Sequence, residues 1–287
     1  MFDEMRHFLL VVEHGTLTSA ARRAHLSQPA LTASLHRLEG LIGARLLHRG
    51  PGGASLTAAG EALLPRARAA LAAVEDGRRA VAEVMGLQAG EVRLGAGATA
   101  CTYLLPPVLA RFRKMHPGVR FLLRETTPGE LAEALAAGTL DLGIVTSPEG
   151  EPWRDDPLVL IAAPGLDTAA APFVTFPKGS TSRDFLDQHF PRAAIVMELN
   201  SIAAVKGHVR AGIGLGLVSR SAVEADVASG RLILVPHPAT PIPRTLSLVH
   251  RGLDRLPPAA GALRELLLAS RSLDRPPRAA RRPARAG

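Results

Sequence analysis

Two Gly/Ser/Thr-rich segments of the 287-residue chain carry residue types that bind a small anion. Lys178, Ser180 and Thr181 belong to the loop KGSTSR, which precedes a predicted helix. Such a loop can offer hydroxyls, backbone N–H groups and two cations to one carboxylate, phosphate or sulfate-like group. Asn200 and Ser201 stand in the same position before the next predicted helix. Plain N-capping explains Ser182 or Ser201 about as well, so both interpretations stay open.

A third segment, Gly95–Ala100, follows a predicted strand and loosely matches the pattern G-x-G-x-x-G/A of dinucleotide sites. Glu125 follows the next predicted strand, as an acid does in such sites. This interpretation would make the protein a nucleotide-dependent enzyme, and it is kept as an alternative. The sequence shows no Ser/His/Asp order, paired carboxylates or P-loop, and therefore predicts a non-enzyme without a cofactor.

The single cysteine, Cys101, excludes a disulfide framework and any multi-Cys metal cluster. We expect an inert, buried thiol, with a redox or ligand-contacting role as the alternative. The histidines of the N-terminal region lack tight ligand spacing, so no metal site is predicted.

Hydrogen bonding to nucleic acid is the second kind of chemistry that the residues indicate. Two short predicted helices are joined by about three residues ending in Ser27, as in a helix-turn-helix. The second helix is expected to bury Ala30 and Leu31 and to present its N-terminal part to the major groove. Short polar side chains on its exposed face can reach bases or phosphates, and arginines nearby can reach phosphates. The predicted DNA-binding residues are Arg22, Arg23, Ser27, Gln28, Pro29, Thr32, Ser34, His36, Arg37 and Arg49. A helical protein-interaction module is the alternative.

The charge distribution gives only weak support for nucleic-acid binding. The formal net charge is +8, but residues 275–287, RPPRAARRPARAG, contain five arginines and no acid. The rest of the chain is therefore only +3. We expect the basic tail 275–287 to be disordered.

Three segments precede this tail. Residues 1–56 are predicted to form short helices and a β-wing around the tip HRGPGGAS. Residues 57–90 are predicted to form a long linker helix and a hinge, with Pro65 kinking the helix or marking its start. Heptad spacing, with Leu64, Leu71 and Met85 in one position and Ala67, Val74 and Val81 in another, favours pairing between chains. A helix buried on its own domain is the alternative.

Residues 91–274 alternate between predicted strands and helices, which indicates a parallel α/β sheet. We expect two lobes: lobe 1 from about 91–146 and 254–274, and lobe 2 from about 147–253. The predicted crossovers are near Val145–Pro148 and Val249–Arg251.

The stretch TLTSAARRAHLSQPALTASLHRLEGLIGARLLHR, followed by LTAAGEALLPRA, resembles the winged helix-turn-helix of LysR-type transcriptional regulators. LPPVLARFRKMHPGV, the stretch at Leu135–Ile144 and AGIGLGLVS resemble the effector domain of that family. The resemblance implies an N-terminal winged helix-turn-helix, a long linker helix and a two-lobed, periplasmic-binding-protein-like α/β effector domain. It also implies a homodimer through the linker helix and a homotetramer built from two dimers.

The resemblance further places Ala98, Thr99, Cys101, Thr102 and Thr146 in an effector cleft, together with the two loops described above. It implies double-stranded promoter DNA and a small effector as partners. The loop motifs are similar to the branch of the family that senses small anionic metabolites.

We therefore expect a cytoplasmic, DNA-binding regulator whose DNA binding or bending responds to a small anionic metabolite. The start of the chain lacks the pattern of a signal peptide, and no run is long and apolar enough for a membrane span. The alternative is a small-molecule binding protein of the solute-receptor class whose N-terminal helices serve only for assembly.

Overall fold

The computed structural model describes residues 1–50, 53–84 and 90–271. The N-terminal domain is a three-helix bundle with a two-stranded antiparallel wing. Its elements are α1 (Phe2–His14), α2 (Leu17–Arg23), α3 (Gln28–Ile42), β1 (Leu47–Gly50) and β2 (Gly53–Leu56).

Close backbone contacts fix the wing against the helices. Ala54 N donates a hydrogen bond to Gly15 O at 2.7 Å, where α1 ends. Gly53 has φ +118°, and a Cβ on it would lie 2.6 Å from Gly15 O, so only glycine fits there. The tip of the wing lies outside the described residues.

The linker helix α4 (Ala58–Val84) is continuous through Pro65. It begins well before this proline, so the expectation that Pro65 marks its start is wrong. Ala67 is buried in the N-terminal core, and Leu64 and Leu71 pack against that core. The first part of the predicted seam is therefore buried on its own domain, while Val81 is 64% exposed. Met85 lies outside the described residues.

Lobe 1 is a five-stranded sheet in the order β4-β3-β5-β12-β6. β3 pairs in parallel with β4 and β5, whereas β12 pairs antiparallel with β5 and β6. The helices α5 and α10 and the Trp153 side chain contribute to one apolar core with this sheet. The bounds are β3 (Glu91–Ala96), a π-helical turn (Ala100–Leu104), α5 (Leu105–Met115), β4 (Arg120–Glu125), α6 (Pro128–Ala136), β5 (Leu142–Thr146), β6 (Glu151–Asp155), β12 (Thr245–Val249), a 3₁₀ turn (Leu253–Arg255) and α10 (Pro258–Ser270).

Lobe 2 packs three helices on short strands. β7 pairs antiparallel with β10 and β11, and β8 pairs in parallel with β9. The bounds are β7 (Leu158–Ala162), β8 (Phe173–Thr175), α7 (Thr181–His189), β9 (Ile195–Glu198), α8 (Ile202–Arg210), β10 (Gly216–Ser219), α9 (Arg220–Ala228) and β11 (Ile233–Leu234).

The two lobes meet at different points from those predicted. β6 and β12 pair with each other and belong to the sheet of lobe 1. The crossovers therefore follow Asp155 and precede Thr245, instead of lying near 145–148 and 249–251. The prediction of parallel strands is also wrong for β12, β7, β10 and β11, which pair antiparallel. The alternating pattern carries no information on the direction of a strand.

The linker helix contacts lobe 1 through a cluster of charges. Asp76 of α4 accepts hydrogen bonds from Arg93 Nη2 at 3.1 Å and from Arg251 Nη2 at 2.5 Å. Arg93 also pairs with Asp141, at 2.8 Å. Gly138 has φ +67°, and a Cβ there would lie 2.2 Å from Ala72 Cβ, so the helix approaches lobe 1 closely.

Candidate functional site: a DNA-facing helix and an effector cleft

The helix α3 presents its N-terminal turn to solvent. Ser27 caps it, since its Oγ accepts a hydrogen bond from Ala30 N at 3.3 Å. Ser27, Gln28 and Pro29 are exposed, and Thr32 is half-buried. Gln28 is held loosely by Thr18, whose Oγ1 lies 3.5 Å from its Oε1. These side chains lie where the sequence predicted them.

The predicted exposure of Ser34 is wrong. Ser34 is 2% exposed, and its Oγ shares a hydrogen bond of 2.7 Å with His7 Nδ1. Burial lowers the pKa of His7, which favours its neutral ring. The cause is helical spacing: Leu31, Ser34, Leu35 and Leu38 form the i, i+3, i+4, i+7 stripe that faces α1.

Ala30 lies off that stripe and is exposed, so its predicted burial is wrong as well. Ser34 is therefore a core residue of the domain, and its buried hydroxyl is not available to DNA.

The predicted phosphate-contacting arginines differ in their exposure and in whether they form an ion pair. Arg22 and Arg23 at the end of α2 are exposed, and no residue within the described ranges forms an ion pair with them. Arg37 is exposed but donates to Glu4 at 3.2 Å. Arg49 is 22% exposed and donates to Glu39 at 3.0 Å.

Glu39 organises the start of the wing, which sequence reasoning missed. Its Oε1 accepts hydrogen bonds from Leu46 N at 2.9 Å and Leu47 N at 3.4 Å. Its Oε2 binds Arg49, and Arg49 Nη1 lies 3.2 Å from His36 Nε2. His36 is exposed on the same side, so this cluster joins α3 to β1.

A cavity of about 390 Å³ separates lobe 1 from lobe 2, and we call it the cleft. Its volume falls within the range of about 300–1,000 Å³ typical of small-molecule sites. The cleft lies at the carboxyl ends of β3, β4 and β5, where open α/β sheets bind ligands. The predicted residues that line it are Ala98, Thr99, Thr146, Lys178, Ser180, Thr181 and Asn200.

Three predicted residues are not among the lining residues: Cys101, Thr102 and Ser201. Cys101 and Thr102 lie in the π-helical turn, just after the residues Gly97 to Ala100 that line the cleft. Thr102 is exposed, and Cys101 Sγ donates to Ala96 O at 3.4 Å. Ser201 is exposed, while its neighbours on both sides line the cleft.

The loop that precedes α7 offers one cation rather than the two predicted. Arg183 donates from Nε to Asp187 at 2.8 Å and from Nη1 to Glu198 at 2.5 Å. It is 5% exposed, so its guanidinium stabilises the interior of lobe 2. Ser180 is a cap, because its Oγ accepts from Arg183 N and donates to Pro177 O. Lys178 is exposed at the cleft.

The wall formed by lobe 1 adds a hydroxyl group and two carboxylates to the cleft. Thr126 has a buried Oγ1 without a hydrogen-bond partner in the described structure. Glu125 lines the cleft beside it, and Glu130 forms a capping box with Thr127. The hydrogen bond from the Thr127 backbone lowers the pKa of Glu130, so its carboxylate stays charged.

Arg244 also lines the cleft, and sequence reasoning missed it. It stands far along the chain from the lining residues that were predicted, and no local motif marks it. Thr126 could have been found, because it follows a parallel strand at its carboxyl end.

The environment of Cys101 makes the thiol unreactive. Burial, with a smaller contribution from the Glu125 charge, raises its pKa from 9.0 to about 11. We expect alkylation by iodoacetamide at pH 8 to be about 100-fold slower than in the urea-unfolded chain, since the thiolate is the nucleophile. Quenched mass spectrometry measures both rates. Equal rates would show that the thiol is accessible and normally acidic.

Membrane-spanning helices and metal-binding clusters were sought in the described residues. No helix in that part of the chain is long and apolar enough to cross a membrane. Within the same ranges, no group of three or more His, Cys, Asp or Glu is arranged to hold a metal ion.

Comparisons with known proteins agree over nearly the whole chain. Residues 2–61 match the family model "Bacterial regulatory helix-turn-helix protein, lysR family", and residues 85–272 match "LysR substrate binding domain". The RuBisCO operon transcriptional regulator of Allochromatium vinosum is 30% identical over 286 residues, which cover 92% of this chain and 94% of the relative. The SDS degradation transcriptional activation protein of Pseudomonas sp. (strain ATCC 19151) is 34% identical over 289 residues, with the same coverage of 92% and 94%.

Solved structures show the same architecture. Full-length CbnR in complex with its target DNA superposes with a TM-score of 0.66 at 25% sequence identity, covering 94% of this chain and 99% of that one. ArgP from Mycobacterium tuberculosis gives a TM-score of 0.69 at 20% identity, covering 94% and 96%. The predicted fold class, a winged helix-turn-helix followed by a linker helix and a two-lobed α/β domain, is confirmed.

Proposed function

Because the chain belongs to the LysR family of bacterial transcriptional regulators, we propose that a small anionic metabolite in the cleft modulates its binding to promoter DNA. The chain is a DNA-binding regulator with an effector-binding domain. The family match over residues 2–61 favours this function over the solute-receptor alternative. Family membership likewise supports a cytoplasmic protein that is not an enzyme.

The observation that carries DNA recognition is the exposed N-terminal turn of α3. Gln28 presents an amide that can bind an adenine edge, and Thr32 presents a hydroxyl beside it. Arg22 and Arg23 lie at the end of α2 and can contact phosphates that flank the groove. Since few cations are free in the domain, affinity depends on several subunits binding together.

A homodimer through α4, and a homotetramer of two dimers, would supply those subunits. The exposed Val81 near the end of α4 supports the pairing of two linker helices. A tetramer has two pairs of DNA-binding domains and can contact successive half-sites, bending the DNA between them. The effector shifts this equilibrium only if it binds two arrangements of the oligomer with different affinity.

The proposal of an anionic effector is supported by two cationic groups and by helix termini. Lys178 and Arg244 both line the cleft, and Arg244 shares its charge with the buried Asp156. The first-turn N–H groups of Thr181 and Ser182 have no acceptor within α7 and lie at the positive end of its dipole. An oxyanion is the ligand that these groups favour.

Replacing Gln28 with alanine tests the DNA-binding part. We expect Gln28→Ala to weaken binding to the promoter site by about 1–3 kcal/mol through the loss of one base contact. Stability should be unchanged, because the side chain is exposed. Fluorescence anisotropy with specific and scrambled duplexes measures the effect.

The matched control is Gln188→Ala, which removes an exposed glutamine from α7 of lobe 2. It should leave both affinities unchanged. If Gln28→Ala binds the specific duplex as tightly as this control does, α3 does not read the sequence as proposed.

A further inference from the structure

Asp156 and Arg244 form a buried ion pair at the two crossovers between the lobes. Asp156 follows β6 on the way into lobe 2, and Arg244 precedes β12 on the way back. Their side chains are 0% and 4% exposed, and the Arg244 guanidinium contacts the Asp156 carboxylate. Arg244 Nε also donates to Asp156 O at 3.0 Å. The pair therefore fastens the two crossover segments to each other.

Asp156 extends this fastening into lobe 2. It accepts hydrogen bonds from Ser219 Oγ at 2.6 Å, Ser221 N at 3.1 Å and Ser221 Oγ at 2.9 Å. Those serines stand at the end of β10 and the start of α9. One carboxylate thus holds the hinge and the adjacent face of lobe 2 together.

Arg244 has donor capacity left over, and it faces the cleft. A guanidinium carries five N–H donors, more than Asp156 occupies. Arg244 Nη1 is not among the buried atoms without a partner in the described ranges, so it keeps some contact with solvent. Its Nε and Nη2 bind Asp156, while no acceptor in the described structure binds Nη1. Because Arg244 lines the cleft, this nitrogen is placed to bind a ligand.

A hydroxyl without a hydrogen-bond partner lies at the opposite end of the cleft floor. The buried Thr126 Oγ1 has no partner in the described ranges, and it follows β4. In the sheet order, β3 and β5 stand between β4 and β12, so the ends of these two strands are about 14 Å apart, at roughly 4.8 Å per strand. Glu125 beside Thr126 makes that end unfavourable for an anion.

We propose that Arg244 binds the acidic group of the effector and that Thr126 binds a neutral hydroxyl or amide at its other end. This inference rests on the proposed function of the cleft as the effector site. It makes the effector an elongated molecule with one acidic end. Arg244 also joins the two crossover segments through Asp156. The bound anion would therefore contact the same guanidinium that holds the hinge together.

The chain contains its own reporter for this test. Trp153 is the only tryptophan, is 1% exposed and lies on β6 close to Asp156. Inorganic phosphate is the probe for the acidic end, titrated into the full chain against sodium chloride at equal ionic strength. Trp153 fluorescence and the thermal unfolding midpoint are the two readouts.

The test variant is Arg244→Lys, which retains a positive charge beside Asp156 but lacks the planar fork of donors. We expect phosphate to bind the wild type and to bind this variant at least about tenfold more weakly. Arg183→Lys is the matched control, because Arg183 is equally buried between carboxylates but does not line the cleft. It should retain the wild-type response. Lys178→Gln should change the response less than Arg244→Lys does.

Three outcomes would overturn the proposal: no phosphate response in the wild type, an unchanged response in Arg244→Lys, or a larger loss in Lys178→Gln. If Arg244→Lys fails to fold, Thr126→Val serves as the second variant, with hydroxy-carboxylates as probes of the far end. Equal affinity of Thr126→Val and wild type for every hydroxy-carboxylate tried would also overturn it. None of these results depends on DNA binding. The DNA-binding experiments therefore test the proposed function separately.

Discussion

Replacing Asp156 with alanine is expected to lower the free energy of unfolding by about 3–5 kcal/mol, because Arg244 is then buried without a counterion. The change also removes the acceptor of Ser219 and Ser221. Urea unfolding followed by Trp153 fluorescence measures the loss, since this residue lies on the strand that leads to Asp156.

Asp155→Ala is the control for this prediction. Asp155 is the preceding residue, is exposed, and accepts a hydrogen bond from Thr245 Oγ1 at 2.7 Å. Its removal should cost no more than about 1 kcal/mol. Similar losses for the two variants would mean that the buried pair does not stabilise the hinge.

Asp76→Ala is expected to release the linker helix from lobe 1. Arg251 would lose the Asp76 carboxylate, and Arg93 would keep its pair with Asp141. The side chains of Asp76 and Arg251 are 15% and 12% exposed. We therefore expect the free energy that stabilises the contact between α4 and lobe 1 to fall by about 1–3 kcal/mol. Amide hydrogen exchange in α4 should become faster near this position.

Glu75→Ala is the neighbouring control, because Glu75 is 52% exposed and pairs with Arg78 at 3.5 Å. Its exchange pattern should match the wild type. If Asp76→Ala leaves exchange in α4 unchanged, the charge cluster does not hold the linker helix on lobe 1.

The two clusters lie at the two ends of one strand. Arg244 stands just before β12, at the cleft, and Arg251 stands just after it, against Asp76. A shift of β12 that accompanies a change at the hinge would therefore also reach the linker helix. Measuring effector-dependent DNA binding in Asp76→Ala would show whether the contact carries this coupling.

Local patterns were sufficient for most of the elements. Ser27 was predicted as a cap, and its Oγ accepts a hydrogen bond from Ala30 N. The capping alternative in the second loop was assigned to Ser182, whereas Ser180 is the residue that caps α7. Alternation of apolar runs and helical stripes located the helices and most of the strands of both lobes. The short β6 was missed, because Glu151–Asp155 has only one buried apolar side chain, Trp153.

Tertiary partners explain what the sequence did not indicate. A serine on a buried stripe reads as polar and exposed unless its partner, here His7, is known to face it. Arg183 reads as a free cation until Glu198 is brought beside it by β9. Asp156 and Arg244 are far apart in the chain, so only the pairing of β6 with β12 reveals the hinge.

Footprinting of the region upstream of its own gene tests the central claim most directly. The full chain should protect a site there at moderate salt, with protection weakening as salt rises because phosphate contacts release counterions. Protection at two or more successive half-sites would fit the proposed oligomer. Absence of protection at every salt concentration, with the oligomer shown to be intact, would contradict the proposed function.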